Sequence, residues 1–462
     1  MKIVQSLIAA AAPLALCACA LSPPPAKVAA PVPPQWFASP AHNGSLTDLA
    51  SWWRGQGDPL LAQLIDSAQD ASPTVSASAA RIAQARAQRV AAGAALLPSV
   101  DAGASIGRTS QQSALPSGTT SQAAFQAAWE IDLFGSRRAE RRAADERLAG
   151  AQALWHEARV SVAAEVANQY YALRACTMLL AVAEQDAASR ADTARLTQLT
   201  TDAGFQSPAN AALARASAAE GNSRATLQRA QCDIDVKALV ALTALPEPGL
   251  RQQLASSLTV PAAPIEISAL PAATLAQRPD VYNAEREVAA ASADVGSAEA
   301  QRYPRLTLQG SVGAANFRTG GENIKLDTWS IGPLALTVPV FDAGRRAAGV
   351  DAARAGYDNA VVSYRAVARQ AVREVEEALV NLHSTAGRSG DAQVALEGYR
   401  YSFRATEDLY KNGLGSLLQL EDARRTYLAA EIALVNLQRE RNAAWVALYR
   451  AAGGGWNAAA TH

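Results

Sequence analysis

The chain states one architectural pattern twice, and the spacing between the copies is nearly constant. Pro73-Thr74-Val75 returns as Pro279-Asp280-Val281, and Leu97-Pro98-Ser99-Val100 returns as Tyr303-Pro304-Arg305-Leu306, both at an offset of 206 residues. Phe134 with Arg137-Arg138 returns as Phe341 with Arg345-Arg346. Gly204-Phe205-Gln206-Ser207 returns as Gly413-Leu414-Gly415-Ser416 at an offset of 209. An internal repeat of this kind constrains the fold more than any local signal, because each copy must be one supersecondary unit.

The N-terminus reads as an export signal over residues 1–18, with Lys2 ahead of an apolar run from Leu7 to Ala18 that is too short to span a bilayer. Leu16-Cys17-Ala18-Cys19 is similar to a bacterial lipoprotein signal, and Ala18 just before Cys19 makes Cys19, rather than Cys17, the expected acylated residue. An ordinary cleaved signal without lipid is the competing reading. No Asp follows Cys19 to retain the protein at the inner membrane, which favours the outer membrane. Residues 19–50 form a tether whose Pro- and Ala-rich part, 21–40, is expected to be extended. The chain is 49% hydrophobic with zero net charge, so no basic surplus points to nucleic acid. No later stretch holds 18 uninterrupted apolar residues. An exported membrane protein of this kind must cross as strands or sit on a lipid anchor.

Strand-period alternation occurs four times, twice per copy. From Ala123 to Leu133, Phe125, Ala127, Trp129 and Ile131 share one face, while Gln126, Glu130 and Asp132 lie on the other. About eleven such residues is the length of a membrane barrel strand. Val100, Ala102, Ala104 and Ile106 alternate with Asp101, Gly103, Ser105 and Gly107. Leu306, Leu308 and Val312 alternate with Thr307, Gln309 and Ser311. The fourth strand is expected over 329–341, with Gly332-Pro333 as a bulge. Polar, Gly-rich segments at 109–120 and 318–327 read as hairpin loops. A soluble sandwich is the alternative, but the adjoining helices are too long to cover so small a sheet. Four strands cannot close a barrel whose smallest form uses eight. Two copies would give eight strands and three would give twelve.

Residues 136–203 contain no Pro and a single Gly, Gly150, so one helix of roughly 100 Å is expected at 1.5 Å per residue. The second copy repeats it over 345–411, with Gly387 and Gly390 as candidate interruptions. Shorter helices are expected at 73–96, 207–245, 279–302 and 416–451. Gly204 and Ser207-Pro208 form a helix-hairpin tip, in which Gly closes one helix and Ser caps the next, and Gly413 with Ser416 repeats it. The repeats are therefore bounded at 51–245 and 272–454, joined by a Pro-rich linker at 246–271 and followed by a tail at 455–462.

Ser51-Trp52-Trp53 with Asp58-Pro59-Leu60 and Leu64 resembles the N-terminal signature of the outer-membrane efflux factors. Arg278-Pro279-Asp280-Val281 with Ala284 and Glu285 resembles their second-repeat signature. Trp129-Glu130-Ile131-Asp132-Leu133-Phe134-Gly135 is similar to their barrel-to-helix junction. The resemblance is closest to the lipoprotein branch, the NodT type, of the TolC-like superfamily. It implies a mainly α protein with β: a trimeric outer-membrane β-barrel of four strands per chain, twelve in total, continued by a long α-helical periplasmic barrel. It also implies a homotrimer held in outer-membrane lipid. Its further partners are a periplasmic adaptor protein and an inner-membrane resistance-nodulation-division pump. The function so implied is a passive duct exporting small molecules. The alternative is a lipid-anchored periplasmic adaptor, or structural coiled-coil protein, without a pore.

By the same resemblance, acidic residues after the second tip ring a periplasmic gate. Asp422 falls on one such position and Gln419 stands on the other. Tyr410 matches a tyrosine that pairs with an aspartate after the first tip in some relatives, but here Asn210 holds that place. A solvated helix face is the plainer reading of Asp422 beside Glu421. Gly204, Phe205, Gly413, Leu414 and Leu417 make the tips apolar and are the candidate adaptor contacts, with packing of the tunnel end as the alternative. Independently of the family, Cys176 and Cys232 each lie 28 residues from Gly204, so antiparallel helices hinged there set them side by side. In an oxidising compartment that favours a disulfide over two free thiols. His42, His156, His383 and His462 have no metal-ligand spacing, and no nucleophile motif or phosphate loop is present, so neither enzyme chemistry nor a cofactor or metal is expected.

Overall fold

The computed structural model describes residues 23–38, 52–55, 57–111, 115–256 and 271–456. The signal, Cys19, most of the linker and most of the C-terminal tail lie outside the described residues. In chain order the elements are α1 (Trp52–Gly55), α2 (Pro59–Ala71), α3 (Pro73–Ala94), β1 (Ser99–Gln111), β2 (Leu115–Ile131), α4 (Ser136–Asp202) and α5 (Pro208–Thr243). There follow α6 (Glu247–Ser256), α7 (Pro271–Leu275), α8 (Pro279–Ala300), β3 (Arg305–Thr319), β4 (Glu322–Thr337), α9 (Arg345–Lys411) and α10 (Leu417–Ala451). The chain divides into two units: 1–30, 80–152 and 283–366 in the first, 31–79, 153–282 and 367–462 in the second.

The first unit carries one antiparallel sheet in the order β1-β2-β3-β4. Its strands are longer than the alternation suggested. The expected loop at 318–327 is instead strand with a two-residue turn, where Thr319 pairs with Glu322 and Gly320 and Gly321 both have positive φ. Glycine tolerates that backbone, and its twist matches the flanking strands. β1 and β2 likewise invade the expected loop at 109–120. The fourth strand ends at Thr337, so 338–341 are not strand. The register breaks as expected at Gly332-Pro333: Leu308 pairs with Leu334 and Gly310 with Ile331, leaving two residues opposite Gln309. The break resets the phase, so Trp329 and Ile331 share a face with Leu334 and Leu336.

At the end of β2, Asp132 accepts the backbone N–H groups of Arg137 (3.2 Å) and Arg138 (3.0 Å), capping the start of α4. Asp342 does the same in the second copy, accepting from the N–H groups of Gly344 (3.1 Å) and Arg346 (3.3 Å). The described part of the tether, residues 23–38, is neither helix nor strand but is tied down. In this unit Ser292 Oγ donates to the Pro24 carbonyl at 2.5 Å and the Tyr357 hydroxyl to that of Pro25 at 2.9 Å.

In the second unit the core forms around α2 and its partners. Asp58 caps α2 by accepting from the N–H groups of Leu60 (3.1 Å) and Leu61 (3.3 Å), and it also accepts the Tyr170 hydroxyl. Leu61 and Leu64 are fully buried, each worth about 1.5–3 kcal/mol against exposure. Trp52 stacks on Tyr449 with ring centroids 5.3 Å apart, and Trp53 meets the same ring edge-on at 4.7 Å. Trp36 is buried in this core, and Glu376 accepts the N–H groups of Phe37 and Ala38. Part of the expected linker is helical: α6 buries Leu250 and Leu254, and Arg174 Nη1 donates to the Leu254 carbonyl at 2.9 Å. α9 runs through Gly387 and Gly390 without interruption.

Candidate functional site: a one-faced sheet and two hairpin tips

Antiparallel register lines the apolar residues of four strands into rows on one face. One row is Ala102–Phe125–Val312–Trp329, the next Val100–Ala127–Gly310–Ile331. Beyond them come Trp129–Leu308–Leu334 and Ile131–Leu306–Leu336. Phe125, Val312, Trp329, Ile331, Leu334 and Leu336 are exposed within the single chain. The opposite face carries Asp101, Gln122, Gln126, Glu130, Thr307, Gln309 and Ser311. Among the described residues β1 and β4 each lack a partner on their outer side, so the sheet has two open edges. An apolar face of this size on open strands is stable in hydrocarbon only once the edges are closed by further strands.

The two hairpin tips are built alike. Phe205 N–H bonds the Thr200 carbonyl at 2.8 Å and Gly204 N–H that of Thr201 at 2.9 Å. In the second tip Leu414 N–H bonds the Leu409 carbonyl at 2.9 Å and Gly413 N–H that of Tyr410 at 3.0 Å. Both are Schellman closures, and Gly204 and Gly413 have φ of 82° and 74°. Ser207 then caps α5 and Ser416 caps α10, the latter with Gln419 returning the bond in a capping box. Gln419 Oε1 thereby accepts the Ser416 N–H at 3.0 Å.

Phe205 and Leu414 are exposed at the tips, as adaptor contacts require. Leu417 is not: it is buried with Ala214, Tyr410 and Leu420, and Leu418 stands exposed instead. The Ser416 cap starts the helix so that Leu417 and Leu420 share the inner face. Tyr410 is also inside, its hydroxyl 2.6 Å from Thr197 Oγ1. Thr197 spends its own proton on the Thr193 carbonyl, so Tyr410 is the donor. Asn210 does not meet Tyr410; its amide donates to Gln206 Oε1 at 2.7 Å. Asp422 is exposed and accepts from Arg425 at 2.5 Å.

A buried polar cluster above the tips escaped the sequence reading. Arg190 lies along Asp186 at 2.9 Å, donates to Ser217 Oγ at 2.5 Å and reaches Glu421 Oε2 at 2.7 Å. Arg424, 1% exposed, binds the other oxygen of Glu421, and also Thr193 Oγ1 (2.9 Å) and Ser189 Oγ (3.2 Å). Burial pushes the Arg424 pKa down, opposed by the Glu421 charge. Gly221 leaves room for this packing, since a Cβ there would stand 2.9 Å from Arg190 Cδ. Glu421 thus ties α10 of the second hairpin to α4 of the first. The sequence shows these residues only as two charged pairs at helical spacing, Asp186/Arg190 and Glu421/Arg424, a pattern that reads equally as a solvated helix face. Higher along the first hairpin, Cys176 and Cys232 are bonded, with Cα atoms 5.6 Å apart.

The arrangement matches known proteins over nearly its whole length. The outer membrane efflux protein model matches residues 64–245 and 270–454. The chain belongs to the outer membrane efflux protein family. Among its relatives, the outer membrane protein OprJ of Pseudomonas aeruginosa is 29% identical, over 96% of this chain and 94% of the relative. The solvent efflux pump outer membrane protein SrpC of Pseudomonas putida is 30% identical, over 96% and 97%. Nodulation protein T of Rhizobium leguminosarum is 29% identical, over 93% and 89%. The solved outer-membrane channel OprN superposes with a TM-score of 0.85 at 26% identity, covering 94% of this chain and 99% of that one. Campylobacter jejuni CmeC, at 23% identity and a TM-score of 0.85, shares the fold. As an outer membrane efflux protein, this chain is an outer-membrane channel component of a tripartite pump, with the four-strands-per-chain architecture of a trimeric channel. Members of the family are transport ducts.

Proposed function

We propose that three copies form a passive duct, lipid-anchored at Cys19, that receives cargo through an adaptor from a resistance-nodulation-division pump and hydrolyses nothing itself. The observation that carries the reading is the sheet, whose single apolar face and two open edges need other copies to complete a wall. Docking of an adaptor at the tips is supported by Phe205 and Leu414, which hold aromatic and aliphatic surface in water at the far end of each hairpin. Leu418 joins them. Pro24 and Pro25, bonded to α8 and α9 just after the proposed acylation site, keep the anchor's connecting segment beside the barrel-bearing unit.

The gate in this reading has two parts. Asp422 from three copies places carboxylates about the axis, and the cluster of Asp186, Arg190, Glu421 and Arg424 holds the second hairpin against the first. Substituting Phe205→Glu together with Leu414→Glu tests the docking. The variant is expected to form heat-modifiable trimers that conduct in planar bilayers, yet to fail to restore drug resistance in cells lacking the gene. Full restoration of resistance would refute adaptor docking at the tips, and loss of conductance in the wild-type protein would refute the duct.

A further inference from the structure

The register that aligns the apolar rows also aligns a set of cations at their outer limit. Counting from the helix end, the rows run from Ile131–Leu306–Leu336 to Ala104–Ala123–Ala314–Asp327. The next is Ile106–Ser121–Asn316–Lys325, and the one after it Arg108–Thr119–Arg318–Asn323. Arg108, Arg318 and Lys325 therefore share the apolar face with Trp329 and Phe125, not the polar one. All three are exposed, and none is ion-paired among the described residues. One carboxylate, Asp327, shares the face one row below Lys325, while Glu322 pairs in the alternate phase with Thr319.

Depth decides what this row meets. From Ile131 to Thr119 is twelve residues, roughly 40 Å along a strand at about 3.4 Å per residue. A tilt of about 40° makes that roughly 30 Å along the membrane normal, against an apolar band about 25 Å tall. The cations thus stand a few ångströms beyond hydrocarbon, at headgroup level. The helices leave the opposite end of the strands, so this end faces the outside. Three chains set nine cations against three carboxylates around the wall.

We propose that this collar binds the phosphate groups of the phosphorylated glycolipid that forms the outer leaflet of an outer membrane. A solvated rim would place cations on the polar face or pair them with carboxylates. Here they sit in phase with the hydrocarbon-facing residues, where long side chains extend to the headgroup phosphates. Guanidinium forks suit phosphate oxygens, and Lys325 adds a point charge.

The test uses the full-length trimer in detergent, with rough lipopolysaccharide carrying lipid A phosphates as the probe and native mass spectrometry as the readout. The wild type is expected to retain the lipid in a salt-dependent manner. Removing the lipid phosphates enzymatically, or substituting Arg108→Gln, Arg318→Gln and Lys325→Gln together, is expected to weaken retention more than tenfold. Bilayer conductance of the triple variant should match wild type, which separates this site from the duct itself. If the triple variant does not assemble, Arg318→Gln alone is read the same way, with a several-fold loss expected. Equal retention of phosphorylated and dephosphorylated lipid, or unchanged retention by the variants, overturns the proposal. So does displacement by inorganic phosphate at equal concentration, which would mark a free-ion site.

Discussion

Substituting Glu421→Gln would preserve the shape of the side chain and remove the carboxylate that bridges Arg190 and Arg424 most closely. Arg190 reaches Glu421 at 2.7 Å and Arg424 binds its second oxygen, with the two guanidinium side chains 7% and 1% exposed. Afterwards two buried cations would depend on Asp186, which lies 2.9 Å from Arg190 but 4.0 Å from Arg424 Nε. Breaking a buried ion pair from one side costs about 3–5 kcal/mol. Ser189, Thr193 and Ser217 still accept from these cations, so the cost falls to or below the lower limit of that range, about 2–3 kcal/mol. At about 1.4 kcal/mol per decade, docking of the second hairpin on the first weakens by about 30- to 150-fold. In planar bilayers the variant should dwell longer in higher-conductance states and resist cation block less. Asp422→Ala serves as the comparison: it is exposed, so it should alter cation block without changing thermal stability by more than about 0.5 kcal/mol. A Glu421→Gln protein that melts lower yet conducts as wild type would refute the reasoning, leaving the cluster a structural contact without a gating role.

Two further outcomes are expected. Burial raises the Glu157 pKa to about 7, helped by the Asp280 charge and opposed by Arg278, Arg450 and the Ser161 hydroxyl. The folded state therefore holds a proton that the unfolded state has released, so stability should fall as pH rises from about 4.5 to about 7, by at most about 3 kcal/mol. Glu157→Gln should flatten that slope and raise the melting temperature at pH 8; an unchanged slope in the melting curve would count against it. Thiol labelling of the mature, lipidated protein should find two reactive cysteines only after reduction. Cys176→Ser with Cys232→Ser should lower stability by about 2–4 kcal/mol for a crosslink spanning 56 residues. Two labels before reduction would contradict it.

The long helices were legible because no proline in 136–203 or 345–411 interrupts them, and the five glycines of the second 67-residue helix, Gly387 and Gly390 among them, cost too little to break it. The strand cores were legible from alternation, and Gly332-Pro333 announced the break in phase. The strand ends were not. Near the turns, segments such as Ser117-Gly118-Thr119-Thr120 are polar on both faces, so period-2 hydrophobicity fades while the ladder of backbone bonds continues. At the tips the sequence placed Leu417 among the exposed contacts, whereas Leu417 is buried and Leu418 is exposed beside it. One residue is a turn of about 100° on a helix. That phase is set by where Ser416 caps α10 and by which face meets the first hairpin, and a linear pattern contains only the first of these. Charged residues at helical spacing also read as a wetted face, so Asp186 with Arg190 gave no sign of burial.

The open outer sides of β1 and β4 have a genetic consequence. If each copy must lend an edge to its neighbours on both sides, a chain whose edge cannot pair harms more than itself. Such a chain, once recruited, leaves the ring with a seam that the other two copies cannot mend. With equal amounts of sound and defective chains mixing at random, only roughly one trimer in eight would be wholly sound. Edge mutations in this protein should therefore behave as dominant alleles, whereas losses at the tips should be diluted more gently.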